Sequence, residues 1–210
     1  MATRAPLRLS GPGLLRRSPV LIPRRTFFQD ILPSTNKPLT INVTRTLPYP
    51  RSKLYDLIVD VDSYSSFLPY CQHSLVTAWS NPEPSSPPPG RRWPTEGELT
   101  IGFGPITQSY TSRIVCVPGR SVEALSGRDE SSIKKRDGDR NPFKSLVTKW
   151  TVADEVVKRE GDWTKVDLDL SMLFADPMVQ MMLGKMADDM ATKMIEAFEQ
   201  RARELYGSRR

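Results

Sequence analysis

Residues 164–206 read TKVDLDLSMLFADPMVQMMLGKMADDMATKMIEAFEQRARELY, and two periodicities meet inside them. Val166, Leu168, Leu170, Met172 and Phe174 alternate with Lys165, Asp167, Asp169 and Ser171. A period of two over this length predicts a strand with one buried and one solvated face. Asp176 then offers a side-chain acceptor for the free amides of a helix start, and Pro177 suits the first helical position, where its missing N–H costs nothing. The helix so opened is expected to run unbroken to about Tyr206 and stop at Gly207, with Gly184 weakening it locally. A sheet solvated on one face must bury the other, and this helix is the one segment long enough to cover it.

Working back toward the N-terminus, the other elements take shape around that pair. Ile41, Val43 and Leu47 alternate with polar neighbours and predict a strand over 39–47, ended by Pro48 and Pro50. Leu54, Leu57, Ile58 and Val61 recur at the spacing of a buried helix face, and 64–70 predicts a short second helix stopped by Pro69. Strands are expected over 73–79, 95–103, 106–117 and 121–126, and another around Leu146, Thr148, Trp150 and Val152. Residues 80–94 hold Pro82, Pro84, Pro87, Pro88, Pro89 and Pro94, too many for a ladder, and are expected to form a loop insertion. Residues 127–142, polar and mixed in charge, predict a second long loop. The class is therefore α+β: a curved antiparallel sheet of about six or seven strands wrapped on a long C-terminal helix.

Composition narrows what such a domain can do. The chain has 210 residues, and its net charge of +6 is matched in size by six arginines at positions 4, 8, 16, 17, 24 and 25, ahead of the first acid, Asp30. The basic excess thus belongs to a leader, and the near-neutral remainder lacks the basic stripe of a nucleic-acid binder. An Arg-rich, acid-free start is the composition of a mitochondrial transit peptide, with a plain basic tail as the alternative. Residues 1–33 are expected to be that peptide and a linker, removed between Arg25 and Thr35, and 38–207 the folded domain. No apolar run reaches the roughly 18 residues of a membrane-spanning helix. Cys71, Cys116 and the single histidine, His73, have no metal-ligand spacing, so no metal is expected.

On the C-terminal helix, Met178, Met182, Met186, Met190 and Met194 fall at every fourth position and lead to Phe198. Methionine is flexible and polarisable, suited to surfaces that accept variable apolar partners. A methionine-rich core without a cavity fits the same period. The strand and helix order, FLPYCQHS (67–74), ELTIGFGPITQSYTS (98–112) and the segment 167–206 together resemble the coenzyme Q-binding protein family. That family belongs to a START-like, polyketide-cyclase-related superfamily, and the resemblance covers about 39–207. It implies a START-like helix-grip fold with a cavity for ubiquinone, no further cofactor, and no catalytic residue. It also implies peripheral association with the matrix side of the mitochondrial inner membrane, support of respiration and quinone biosynthesis, and contact with the biosynthetic complex.

Cavity-lining candidates follow from strand parity and the helix row. From the hairpin they are Leu99, Ile101, Tyr110, Ser112 and Ile114; from the later strands Trp150, Leu168, Leu170 and Met172; and from the helix Met182, Met186 and Met190. Tyr110, Gln108, Ser112 and Thr148 are candidate donors to quinone oxygens. Trp93 and Phe103, in or beside loops, are the candidate membrane contacts. Two rivals stand beside this reading. A polyketide cyclase or aromatase would want a tuned acid or base in the pocket, for which His73 and the outward-facing Glu98 are weak candidates. A ribosome-associated binding module is the second rival.

Overall fold

In the computed structural model the residues described are 37–84, 88–103, 106–127, 142–155 and 161–207. The expected transit peptide and its cleavage site lie outside them. The element order is β1 (Leu39–Leu47), α1 (Arg51–Val59), a 3₁₀ helix (Val61–Ser66), β2 (Cys71–Trp79), β3 (Pro94–Phe103), β4 (Ile106–Val117), β5 (Ser121–Gly127), β6 (Phe143–Asp154), β7 (Thr164–Phe174), α2 (Pro177–Gly184) and α3 (Ala187–Tyr206). Seven strands form one antiparallel sheet in the order β1-β7-β6-β5-β4-β3-β2. The sequence's α+β helix-grip expectation is the observed architecture. Every strand from β2 to β7 pairs with its neighbour in sequence, and β1 closes against β7 with Ile41 opposite Leu170 and Val43 opposite Leu168.

Parity along β7 puts Val166, Leu168, Met172 and Phe174 in the core. Its outward Asp167 and Asp169 accept hydrogen bonds from Thr44 and Asn42 on β1. Along α3 the buried face is Ala187, Met190, Ala191, Ile195, Phe198 and Ala202, steps of three and four that keep one stripe on the sheet. Phe198 sits at the centre of an aromatic cluster, with ring centroids 4.8 Å from Trp150, 5.1 Å from Phe67 and 5.4 Å from Tyr64. Tyr206 anchors the helix end by donating to the Lys53 carbonyl, and Tyr49 donates to the Gly207 carbonyl.

The open edge of β2 is covered by the 3₁₀ helix. Asp62 Oδ1 accepts the Val76 N–H at 2.6 Å, while Ser74 Oγ accepts the Ser65 N–H and donates to the Asp62 carbonyl.

Three expectations need correction. The C-terminal helix is not continuous: α2 ends at Gly184 and α3 begins at Ala187, with Lys185 and Met186 between them in a turn. A Cβ on Gly184 would lie 3.3 Å from Leu39 Cδ2, a tight approach that favours glycine at the end of α2. The second helix is a 3₁₀ turn over Val61–Ser66 rather than a helix over 64–70. Ser63 and Ser66 hydroxyls donate to the Asp60 and Ser63 carbonyls, the local side-chain bonding that disfavours regular helix.

Finally, the proline-rich insertion is partly laddered. Ser80 N–H donates to the Trp93 carbonyl, Trp93 N–H to Ser80 Oγ, and Glu83 bridges Arg91. Five of its prolines lie between 82 and 89, leaving the N–H groups of 90–93 free to pair, and Pro94 takes the first position of β3, where a ladder tolerates it.

Candidate functional site

Between the concave face of the sheet and α3 lie two apolar hollows. The larger, about 120 Å³, is lined by β-strand residues that include Ile41, Leu99, Ile101, Phe143, Leu168, Leu170, Met172 and Phe174. From the helices come Leu183, Ala187, Met190, Ala191 and Met194, from the loop before β2 Pro69 and Tyr70, and from the start of β2 Cys71. The second, about 110 Å³, lies toward the 3₁₀ helix and is lined by Tyr64, Trp150 and Phe198, with Val61, Ser112, Ile114 and Val122. Leu68, Leu99, Tyr110, Leu146, Thr148 and Met194 line both and form the waist between them.

Polar atoms are few here. Tyr110, Ser112 and Thr148 bring three hydroxyls to the waist and the inner hollow, and none of the three has a hydrogen-bond partner among the described residues. Tyr110 and Ser112 are buried and Thr148 half-buried, and all three line the hollows, placed to bond an acceptor or donor from outside the chain. Tyr110 is held in place by an edge-on contact with Phe143 at 5.0 Å, and burial pushes its phenol well above the usual tyrosine range. It therefore stays a neutral donor. Cys71, at the mouth, is likewise raised by burial; Cys116, outside both hollows, is pushed up to about 11. Neither hollow is lined by a described His, Asp, Glu, Lys or Arg.

The mouth of the larger hollow has its own features. Tyr70 is the one described non-glycine residue with positive φ, at 67°, a conformation that costs energy for a bulky side chain. It is fixed there by the Gly102 N–H, which donates to the Tyr70 carbonyl at 2.8 Å. Across the opening, Lys193 Nζ lies 3.5 Å from Tyr70 Oη and 2.8 Å from Asp189.

Ten of the twelve cavity candidates line one or both hollows: Leu99, Ile101, Tyr110, Ser112, Ile114, Trp150, Leu168, Leu170, Met172 and Met190. Met182 and Met186 do not. They are 40% and 41% exposed, because the turn after Gly184 separates their face of the chain from that of Met190. Trp93 is not an exposed membrane contact either. It is buried, edge-on to Tyr55 at 5.6 Å, covered by the Arg91 guanidinium at 4.2 Å, and its indole N–H donates to Glu83 at 2.9 Å. Phe103 ends β3, and its side chain falls outside the described residues. Gln108 is half-buried and lines neither hollow. Sequence reading missed Tyr70, Phe143 and Phe198 as wall residues; Phe143 is out of step with Leu146, Thr148 and Trp150 and reaches the wall through the register shift between Phe143 and Ser145, and nothing local announces the Tyr70 conformation.

A curved sheet gripping a helix over an apolar, hydroxyl-bearing hollow defines a START-like, helix-grip binding fold. The chain belongs to the family described as polyketide cyclase / dehydrase and lipid transport, whose model matches residues 47–199. It is similar to the ribosome association toxin RatA of Pseudomonas aeruginosa, 34% identical over 77% of this chain and 93% of the relative. It is also similar to the mitochondrial coenzyme Q-binding protein of Schizosaccharomyces pombe, 29% identical over 76% of this chain and 84% of the relative. Among solved structures, a START superfamily protein from Mycobacterium smegmatis superposes with a TM-score of 0.58 at 15% identity, covering 79% of this chain and 98% of the other. That likeness is one of fold.

Proposed function

We propose that this protein binds ubiquinone and carries it without chemical change, in mitochondria, at the matrix side of the inner membrane, in support of respiration and quinone biosynthesis. The observation that carries the reading is the set of unpartnered hydroxyls of Tyr110, Ser112 and Thr148 inside otherwise apolar walls. An isoprenoid quinone combines ring carbonyls that accept such hydrogen bonds with a tail that needs only hydrocarbon. The second hollow, where Tyr110, Ser112 and Thr148 all line the wall, suits the ring, and the larger one, with its leucines and methionines, the first part of the tail. Mitochondrial coenzyme Q-binding relatives and the arginine-rich, acid-free leader support the placement.

Volume decides how the ligand is held. Small-molecule pockets typically measure about 300–1,000 Å³, and each hollow here falls short of that. Entry of a ring and tail therefore displaces side chains, and Met190 and Met194 are the flexible ones positioned to move. Burying the tail gains about 25 cal/mol per Å² against water, but most of that cancels when the tail comes from a bilayer. Hydroxyl contacts to the ring then set selectivity, and exchange stays easy.

A catalytic reading draws on the cyclases within the family. Acid–base catalysis needs a group titrating near the working pH, whereas the ionisable groups lining the hollows are tyrosines and one cysteine, and those with a directed shift move upward. His73 lies on the exposed side of β2. Organic extraction and mass spectrometry of the purified protein test the proposal. Co-purified quinone is expected, reduced in the Ser112→Ala/Thr148→Val double variant. Its absence together with turnover of a polyketide-like substrate would reject the carrier in favour of the enzyme.

A further inference from the structure

We propose that the methionine face of α2 is the surface on which the protein docks to a neutral phospholipid bilayer. Docking is argued from α2 itself; its use in loading and unloading the cavity rests on the quinone reading above. Residues 177–184 carry no ionisable side chain. Met178 is 68% exposed and Met181 44%, and Met182 and Met186 add their exposed side chains to the same short stretch. Solvent-facing methionines at this density are not needed for packing: α2 is held by Leu183 beneath it, by Asp176 at its start, and by Gln180. The Gln180 amide accepts the Phe174 N–H and donates to the Lys37 carbonyl, so the helix is seated by its polar bonds and its opposite face is left over.

Two observations choose the occupant. Four partly exposed methionines amount to an apolar patch on the order of a few hundred Å². A stable pairing with a second protein buries about 800 Å² per partner, so the patch alone is too small for one, whereas a bilayer has no minimum area. The patch also backs onto the cavity. Leu183 on the underside of α2 and Ala187 just beyond it line the larger hollow, so a bilayer touching the upper face lies one helix thickness from the tail site. Nearby charges are of both signs, Lys185 against Asp176, Asp188 and Asp189, which gives no reason for anionic lipid and leaves the hydrophobic effect as the attraction.

The test is flotation of the full chain with phosphatidylcholine vesicles at low and high salt. Wild-type protein is expected to float at both. A variant combining Met178→Ser, Met181→Ser, Met182→Ser and Met186→Ser is expected to bind about tenfold less or weaker, with an unchanged melting curve. In a second variant, Met182→Trp, brominated lipid is expected to quench the added fluorescence. Equal flotation of the serine variant, loss of wild-type binding at high salt, or no quenching of the added tryptophan would overturn the proposal. So would light scattering that shows a wild-type dimer and a serine-variant monomer, which would make the face an interface between copies. Quinone carried by the purified serine variant reports on the cavity alone, so a failure of docking and a failure of quinone binding are told apart.

Discussion

Met190 and Met194 line the hollow, while Met178, Met182 and Met186 belong to the same four-residue row and face solvent. One spacing has thus produced two environments. Four residues turn about 400°, so a row at this spacing drifts roughly 40° per step and cannot stay on one face. The turn at Lys185 and Met186 then resets the direction of the chain. The buried stripe of α3 is instead the mixed three-and-four spacing from Ala187 to Ala202. A repeated residue type is a weaker guide to burial than the period of all apolar residues together.

Substitutions sharpen the contrast between the two helices. Phe198→Ala, at the centre of the α3 aromatic cluster, is expected to cost about 3–5 kcal/mol in denaturant unfolding. Met190→Ala should cost about 2 kcal/mol or somewhat more, since a methionine facing a hollow already leaves part of its surface unpacked.

Burial on the α3 side also sets a pH response. Burial raises the Tyr64 phenol, with Asp60 adding to it. Above about pH 10 the unfolded chain ionises this tyrosine while the folded chain keeps the proton. The native state then holds more protons, so stability is intact below that pH and falls as pH rises through it. Tyr64→Phe should flatten the alkaline decline by up to about 1.4 kcal/mol per pH unit, read from unfolding curves between about pH 10 and 11.

Smaller effects belong to α2. Gly184→Ala gains up to about 1 kcal/mol of helix propensity but presses on Leu39, so a net change under about 1 kcal/mol is expected in thermal melts. Met178→Ser should shift stability by less than about 0.5 kcal/mol, and a larger loss would show that its exposed side chain is packed.

Much of the fold is legible in the chain because strand parity and proline punctuation are local signals. The bounds of β1 and β4 and the Asp176 cap, whose carboxylate accepts the Met178 N–H at 2.8 Å, needed no tertiary knowledge. Inward placement of Tyr110, Ser112 and Ile114 follows from the same period of two. What escaped the sequence depends on partners far along the chain. The close approach at Gly184 is to Leu39, some 145 residues earlier, and the burial of Trp93 answers to Tyr55, Glu83 and Arg91. The positive φ of Tyr70 follows the amide of Gly102 on another strand, where a glycine also makes room for the Gln72 side chain.

The serine and aspartate contacts along β2 bear on the life of the chain before it is fully assembled. A terminal strand with free amides is a template on which another chain can add, and antiparallel sheets of this size are exposed to that hazard while they form. Because Asp62 has already claimed the Val76 amide, and Ser74 ties the strand to the turn before it, a newly emerged copy meets a margin that has been sealed from within. Addition of a strand at Val76 is opposed by one carboxylate and one hydroxyl.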